Sequence, residues 1–161
     1  MMIPHHQNII ALTQVALPRL TDPRLQQIAQ TIITSQSAEI PQLEGFLQQW
    51  YNGAMSMDQA TMEQMMQAMP GMGSMDEMMT EMDAQAQIAT FCAAPNPDLA
   101  FIDLTISHHQ MAIKAWQTAL TQTSHPELKQ FAQTVIDAQQ KDITELTAIR
   151  AEMTGAATPG A

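Results

Sequence analysis

The chain repeats itself. Set against its own continuation at an offset of 103 residues, positions 3–46 match positions 106–149 without a gap, and eighteen of the 44 pairs are identical. Ile3-Pro4-His5-His6-Gln7 returns as Ile106-Ser107-His108-His109-Gln110, and the stretch Pro23–Thr31 returns as Pro126–Thr134. A unit that occurs twice must solve the same burial problem twice, and each copy reads as a helical hairpin.

The apolar positions have helical spacing. Leu25, Ile28, Ile32, Gln36, Ile40 and Leu43 step by three or four, and Phe46 or Leu47 and then Trp50 carry the stripe on. The second copy gives Leu128, Phe131, Val135, Gln139, Ile143, Leu146 and Ile149, while Ile102, Ile106, His109, Ile113, Trp116 and Leu120 mark the helix before it. Such stripes bury one face of a helix. Thr21-Asp22-Pro23 and Ser124-His125-Pro126 each place a capping residue ahead of a first-turn proline and so separate the helices. Pro41 lies inside the second helix and is expected to kink it.

Two hairpins give an all-α four-helix bundle, and 161 residues are enough to bury its core without staples. A single domain is expected over 1–153: a first hairpin at 1–51, a Met-rich connection at 52–97 and a second hairpin at 98–153. The tail at 154–161 should be disordered. The connection is far longer than a bundle loop and should carry structure or function of its own. The second copy has a lead-in, Pro97 to Asp103, that the first lacks, so the chain is expected to have continued upstream, into an export signal. The order of the bundle stays open. A long crossover would run helices one and three antiparallel with the His pairs at opposite ends; short up-down loops would bring the pairs together.

Charge narrows the function. Six Lys and Arg against sixteen Asp and Glu leave the chain at −10, and no Lys or Arg falls within 25–113, where ten of the carboxylates lie. That balance disfavours nucleic acid and raises the local concentration of cations, although a solvated acidic surface explains it as well. No apolar run is long enough for a membrane helix. A single cysteine, Cys92, excludes an intrachain disulfide framework and a Cys-based zinc site.

Four of the five histidines form two adjacent pairs at matching repeat positions. Neighbours on a helix differ by about 100°, so one ring of each pair faces the core and the other flanks it. Met1 and Met2 precede the first pair and Met111 follows the second, and imidazole with thioether suits copper. Each pair is expected to build its own site. With equal rise on either side of a turn at Thr21 or Ser124, His6 would meet Gln36 and His109 would meet Gln139. Each glutamine would then accept from the imidazole N–H and fix its tautomer. The plainer explanation is a buried polar pair that satisfies itself; the second copy and the abundance of methionine weigh against it. His125, in a turn before proline, reads as a surface residue.

Eleven of the fifteen methionines lie between Met55 and Met82. Met62, Met65, Met66 and Met69 recur thirteen residues on as Met75, Met78, Met79 and Met82, each set on one face of a helix, with Met72 in the Pro-Gly break between them. Methionine is an adaptable core filler, yet 52–87 contains no Leu, Ile, Val, Phe or Trp at all, and burial alone would favour leucine. Soft-metal binding explains the sulfur, the carboxylates and the His pairs together.

These residues resemble a family of secreted, ferritin-like helical domains long described as a domain of unknown function. Met2-Ile3-Pro4-His5-His6-Gln7 matches its hallmark motif, Gln36-Ser37-Ala38-Glu39-Ile40 its helix ending, and Asp98 and Phe101 part of its lead-in. The resemblance implies a ferritin-like four-helix bundle, copper binding and a periplasmic or secreted setting. The second copy departs from it, with Thr105 where methionine is usual and Ser107 in place of proline.

The leading expectation is a copper-binding protein, not an enzyme, that acts in extracytoplasmic copper sequestration, trafficking and resistance. Cu(I) is its preferred cargo, with Cu(II) also admitted at the His pairs. His5, His6, His108 and His109 would supply nitrogen, Met1, Met2 and Met111 sulfur, and the 62–82 methionines all-thioether sites. A copper-accepting or copper-donating protein is the expected partner. The alternative is an interaction module that grips another protein through a plastic Met-rich surface without metal. A copper redox enzyme ranks third.

Overall fold

The computed structural model describes residues 2–51 and 83–155. Among them the chain forms five α-helices and no strand: α1 (Met2–Ala16), α2 (Pro23–Tyr51), α3 (Ala84–Ala93), α4 (Pro97–Gln122) and α5 (Pro126–Thr154). The four long helices are the two expected hairpins, α1 with α2 and α4 with α5. The methionines from Met55 to Met82, Met1 and most of the tail lie outside the described residues.

Local chemistry sets the ends. Proline occupies the first turn of α4 and of α5, where its missing N–H is no loss, and Asn96 caps α4 by accepting from the Leu99 N–H at 3.1 Å. Gly155, at φ +67°, closes α5 in the left-handed conformation that favours glycine. α2 is continuous across Pro41. The exposed position there lets water serve the carbonyl that loses its partner.

α3 lies within the long connection. Asp83 caps it by accepting from the Gln85 and Ala86 N–H groups at 2.9 and 3.1 Å, and Phe91 is fully buried against α1 and α4. Each hairpin packs most closely on itself, and the two meet mainly through α1 and α4. Asp98, buried at the start of α4, ties them: it accepts from the Thr21 N–H at 2.8 Å, from the Thr21 hydroxyl and from the Asp22 N–H at 3.3 Å.

The core is split in two. One apolar cluster holds Ile9, Leu12, Leu25, Ile32, Phe101 and Leu146; the other holds Leu43, Ala112, Ile113, Trp116, Ala132 and Val135. Along every long helix the same thing separates them, a polar stretch of one turn. It falls at His5 and His6 on α1, Gln36 to Glu39 on α2, His108 and His109 on α4, and Gln139 to Asp142 on α5. A Leu or Ile fully buried at such positions would stabilise the fold by about 1.5–3 kcal/mol each. The fold forgoes that gain across its middle.

Candidate metal centre

α1 and α4 run antiparallel, because Thr21 beyond the end of α1 bonds to Asp98 at the start of α4, while His5 near the start of α1 lies beside His108. Antiparallel helices nevertheless bring the His pairs together. His108 sits in the middle of α4 rather than at its end, since the lead-in from Pro97 adds about two turns that pack alongside the rest of α1. The His5 and His108 rings are 3.6 Å apart between centroids and tilted by 38°, with His6 and His109 flanking them at 6.3 and 6.2 Å. The two pairs therefore lie together in one layer.

All four rings are withdrawn from water, His5 at 5% exposure, His108 at 1% and His6 and His109 at 0%. The His108 Nε2–H donates to the His5 carbonyl at 3.1 Å. His6 Nε2–H donates to Glu39 Oε2 at 2.6 Å, and His109 Nε2–H donates to Asp142 Oδ2 at 3.2 Å. Both ring nitrogens of His5 and the Nδ1 atoms of His6, His108 and His109 have no partner among the described residues. A buried polar atom left unpaired costs about 1–3 kcal/mol, so five in one layer are a heavy structural burden. Burial pushes His5 down to about 3, and the charges that His6 and His109 would carry push the same way. His108 is held well below the ordinary histidine value, first by burial and then by His5 and His109. The central rings are thus neutral at pH 7, the form in which imidazole ligates a metal. Among the described residues, no three His, Cys, Asp or Glu groups already stand in a metal-holding arrangement. His5 and His108 lie tilted against each other, and His6 and His109 stand edge-on to them.

The partners of the flanking histidines differ from the expected ones by three residues. His6 meets Glu39, not Gln36, and His109 meets Asp142, not Gln139. The turns are the reason. A 3₁₀ segment, Leu17–Arg19, and the extended Leu20 lengthen the first arm beyond equal rise, and Thr123, also extended, does so in the second hairpin. Both glutamines are buried in the layer, and Gln36 Oε1 and both polar atoms of the Gln139 amide are unpaired. The acids could have been found, because Glu39 and Asp142 are themselves a matched pair in the repeat.

Met2 is half-buried and packs on the cluster of Leu43 and Trp116, and Met111 is half-buried on α4. His125 is not a free surface residue: it is half-buried and stacks on Trp50 at 3.9 Å and 13°. Those two rings line an open groove of about 410 Å³ at the end of the bundle, with Met2, Phe46 and Trp116. Its walls are mainly apolar, and the four layer histidines are not among them.

Fold and site together define a helical bundle with a buried histidine layer. The chain belongs to the family described as a domain of unknown function (DUF305), whose model matches residues 1–150. It is similar to solved structures of CopM. The Cu(II)-bound form is 29% identical, with a TM-score of 0.72 over 95% of this chain and 93% of that one. The Cu(I)-bound form is 26% identical, with a TM-score of 0.71 over 95% and 92%. A DUF305 fragment from Deinococcus radiodurans, 23% identical with a TM-score of 0.70 over 94% and 91%, shares the fold. No curated relative matches the chain.

Proposed function

We propose that this protein binds copper and acts without catalysis in copper sequestration, trafficking and resistance, in a periplasmic or secreted setting. The observation that carries the reading is the layer of four buried histidines with unpartnered ring nitrogens, held at the junction of two repeats. Imidazole nitrogen suits copper, and the thioethers of Met2, Met111 and the 55–82 stretch add preference for Cu(I). CopM, with structures in Cu(I)-bound, Cu(II)-bound and Ag-bound forms, is the relative that supports it. The donor set also argues against a ferritin-type di-iron enzyme. Such sites use four carboxylates and two histidines; this layer has four histidines and two carboxylates. Delivery to a copper-accepting protein is part of the proposal, and the acidic stretch would attract the ion.

Metal analysis of protein purified from copper-supplemented cells tests this. Copper should copurify, and a variant with all four layer histidines changed to alanine should lose the share that the layer holds. Absence of copper from the wild type would refute the reading. Unchanged copper content in the variant would mean that these histidines are structural.

A further inference from the structure

The carboxylates Glu39 and Asp142 belong to no apolar stripe and complete no surface ion network. Their side chains are 16% and 20% exposed, and each has a layer histidine as its hydrogen-bond partner and no Lys or Arg within pairing distance among the described residues. They come from different hairpins, yet occupy the same position in the repeat and meet the same atom, Nε2, of equivalent histidines. Geometry fixes what they do to those rings. A carboxylate only accepts, so it holds the proton of a neutral imidazole on Nε2 and leaves the lone pair on Nδ1. In both His6 and His109, Nδ1 is the buried nitrogen without a partner. The His5 carbonyl does the same to His108, by main chain instead of by charge.

Resting on the copper reading above, we infer that Glu39 and Asp142 are positioning residues that present Nδ1 of His6 and His109 to the metal and match the layer to a dication. Charge gives the second half. Two carboxylates border the layer in largely water-free surroundings, where unbalanced charge is expensive. A dication leaves it neutral; Cu(I) or Ag(I) leaves one negative charge over. The layer is therefore the Cu(II) site of the molecule, and monovalent soft ions belong with thioether sulfur.

Two measurements on the full chain test this. Long-range ¹H–¹⁵N correlation on the histidine-labelled apo protein reads each tautomer directly. His6 and His109 should be Nε2–H in the wild type; Glu39→Ala should release His6 alone, and Asp142→Ala should release His109 alone. Titrations with Cu(II) and with Ag(I) read the charge. Glu39→Gln and Asp142→Asn keep an acceptor oxygen, so helicity should survive, while Cu(II) affinity falls about 10- to 100-fold and Ag(I) affinity falls much less. Glu145→Gln, which removes an equal charge from the exposed face of α5, is the control and should alter neither. The inference is overturned by Nδ1–H tautomers in the wild type, or by equal losses for the two ions in the neutral variants. A wild-type protein that took up neither ion would refute the copper reading itself, and the tautomers would still decide the positioning role.

Discussion

His5 and His108 lie against each other, tilted by 38°, and among the described residues neither ring pairs with an acid. Their neutrality is therefore a property of the fold and has a thermodynamic consequence. In the unfolded chain His5 takes up a proton near its ordinary value of 6.5, whereas in the folded chain it resists until about 3. Between those values the unfolded state binds more protons, so stability falls as pH falls. His108 adds to the effect in the same direction. Metal-free protein should therefore melt at steadily lower temperature as pH drops from about 6.5 towards 3, with His5 alone contributing up to about 5 kcal/mol at the acid end. His5→Leu should flatten that slope, and calorimetric melting at several pH values would show it. Equal acid sensitivity in the variant would place the titrating group elsewhere.

Among the helices, periodicity made α2, α4 and α5 legible, and the repeat carried the reading over to α1. Leu25 to Leu43 and Leu128 to Ile149 stand as stripes in the sequence, and Thr21-Asp22-Pro23 and Ser124-His125-Pro126 mark the breaks. Register was harder to read. Partners across a hairpin depend on how far its linking residues rise, and one 3₁₀ turn with a few extended residues moved the contact from glutamine to acid. α3 was hidden for a different reason: ten residues with only Ile88, Phe91 and Cys92 as large apolar groups give periodicity little to work with. Its anchor is Phe91, fully buried between α1 and α4. Phe91→Ala should destabilise the protein by about 3–5 kcal/mol, read as a lower urea midpoint with an unchanged slope. A loss below about 0.5 kcal/mol, the scale of surface substitutions, would mean that α3 is only loosely held in solution.

At the scale of the whole molecule, the repeat foretold two of everything, and the structure sets the two His pairs side by side in one layer. Each hairpin contributes half of a single layer, two histidines, one glutamine and one acid. A repeat alignment shows which residues are equivalent but not whether equivalent residues touch; that depends on where the helices cross. Because the halves share one centre, removal of either should disable it. His5→Ala with His6→Ala, and His108→Ala with His109→Ala, should each abolish most Cu(II) uptake, a titration in which thioethers take little part. Clean loss of one half of the capacity in each variant would instead indicate two independent sites.

The lead-in from Pro97 that brings His108 to the middle of α4 also settles what kind of symmetry the layer can have. Two separate single-hairpin chains could meet to form such a layer only as a symmetric dimer, with any substitution entering twice. Joined in one chain, the two sides are free to diverge, and they have: Glu39 corresponds to Asp142, Met2 to Thr105 and Pro4 to Ser107. The two sides can thus offer different side chains to one shared layer, an asymmetry that identical subunits cannot reach.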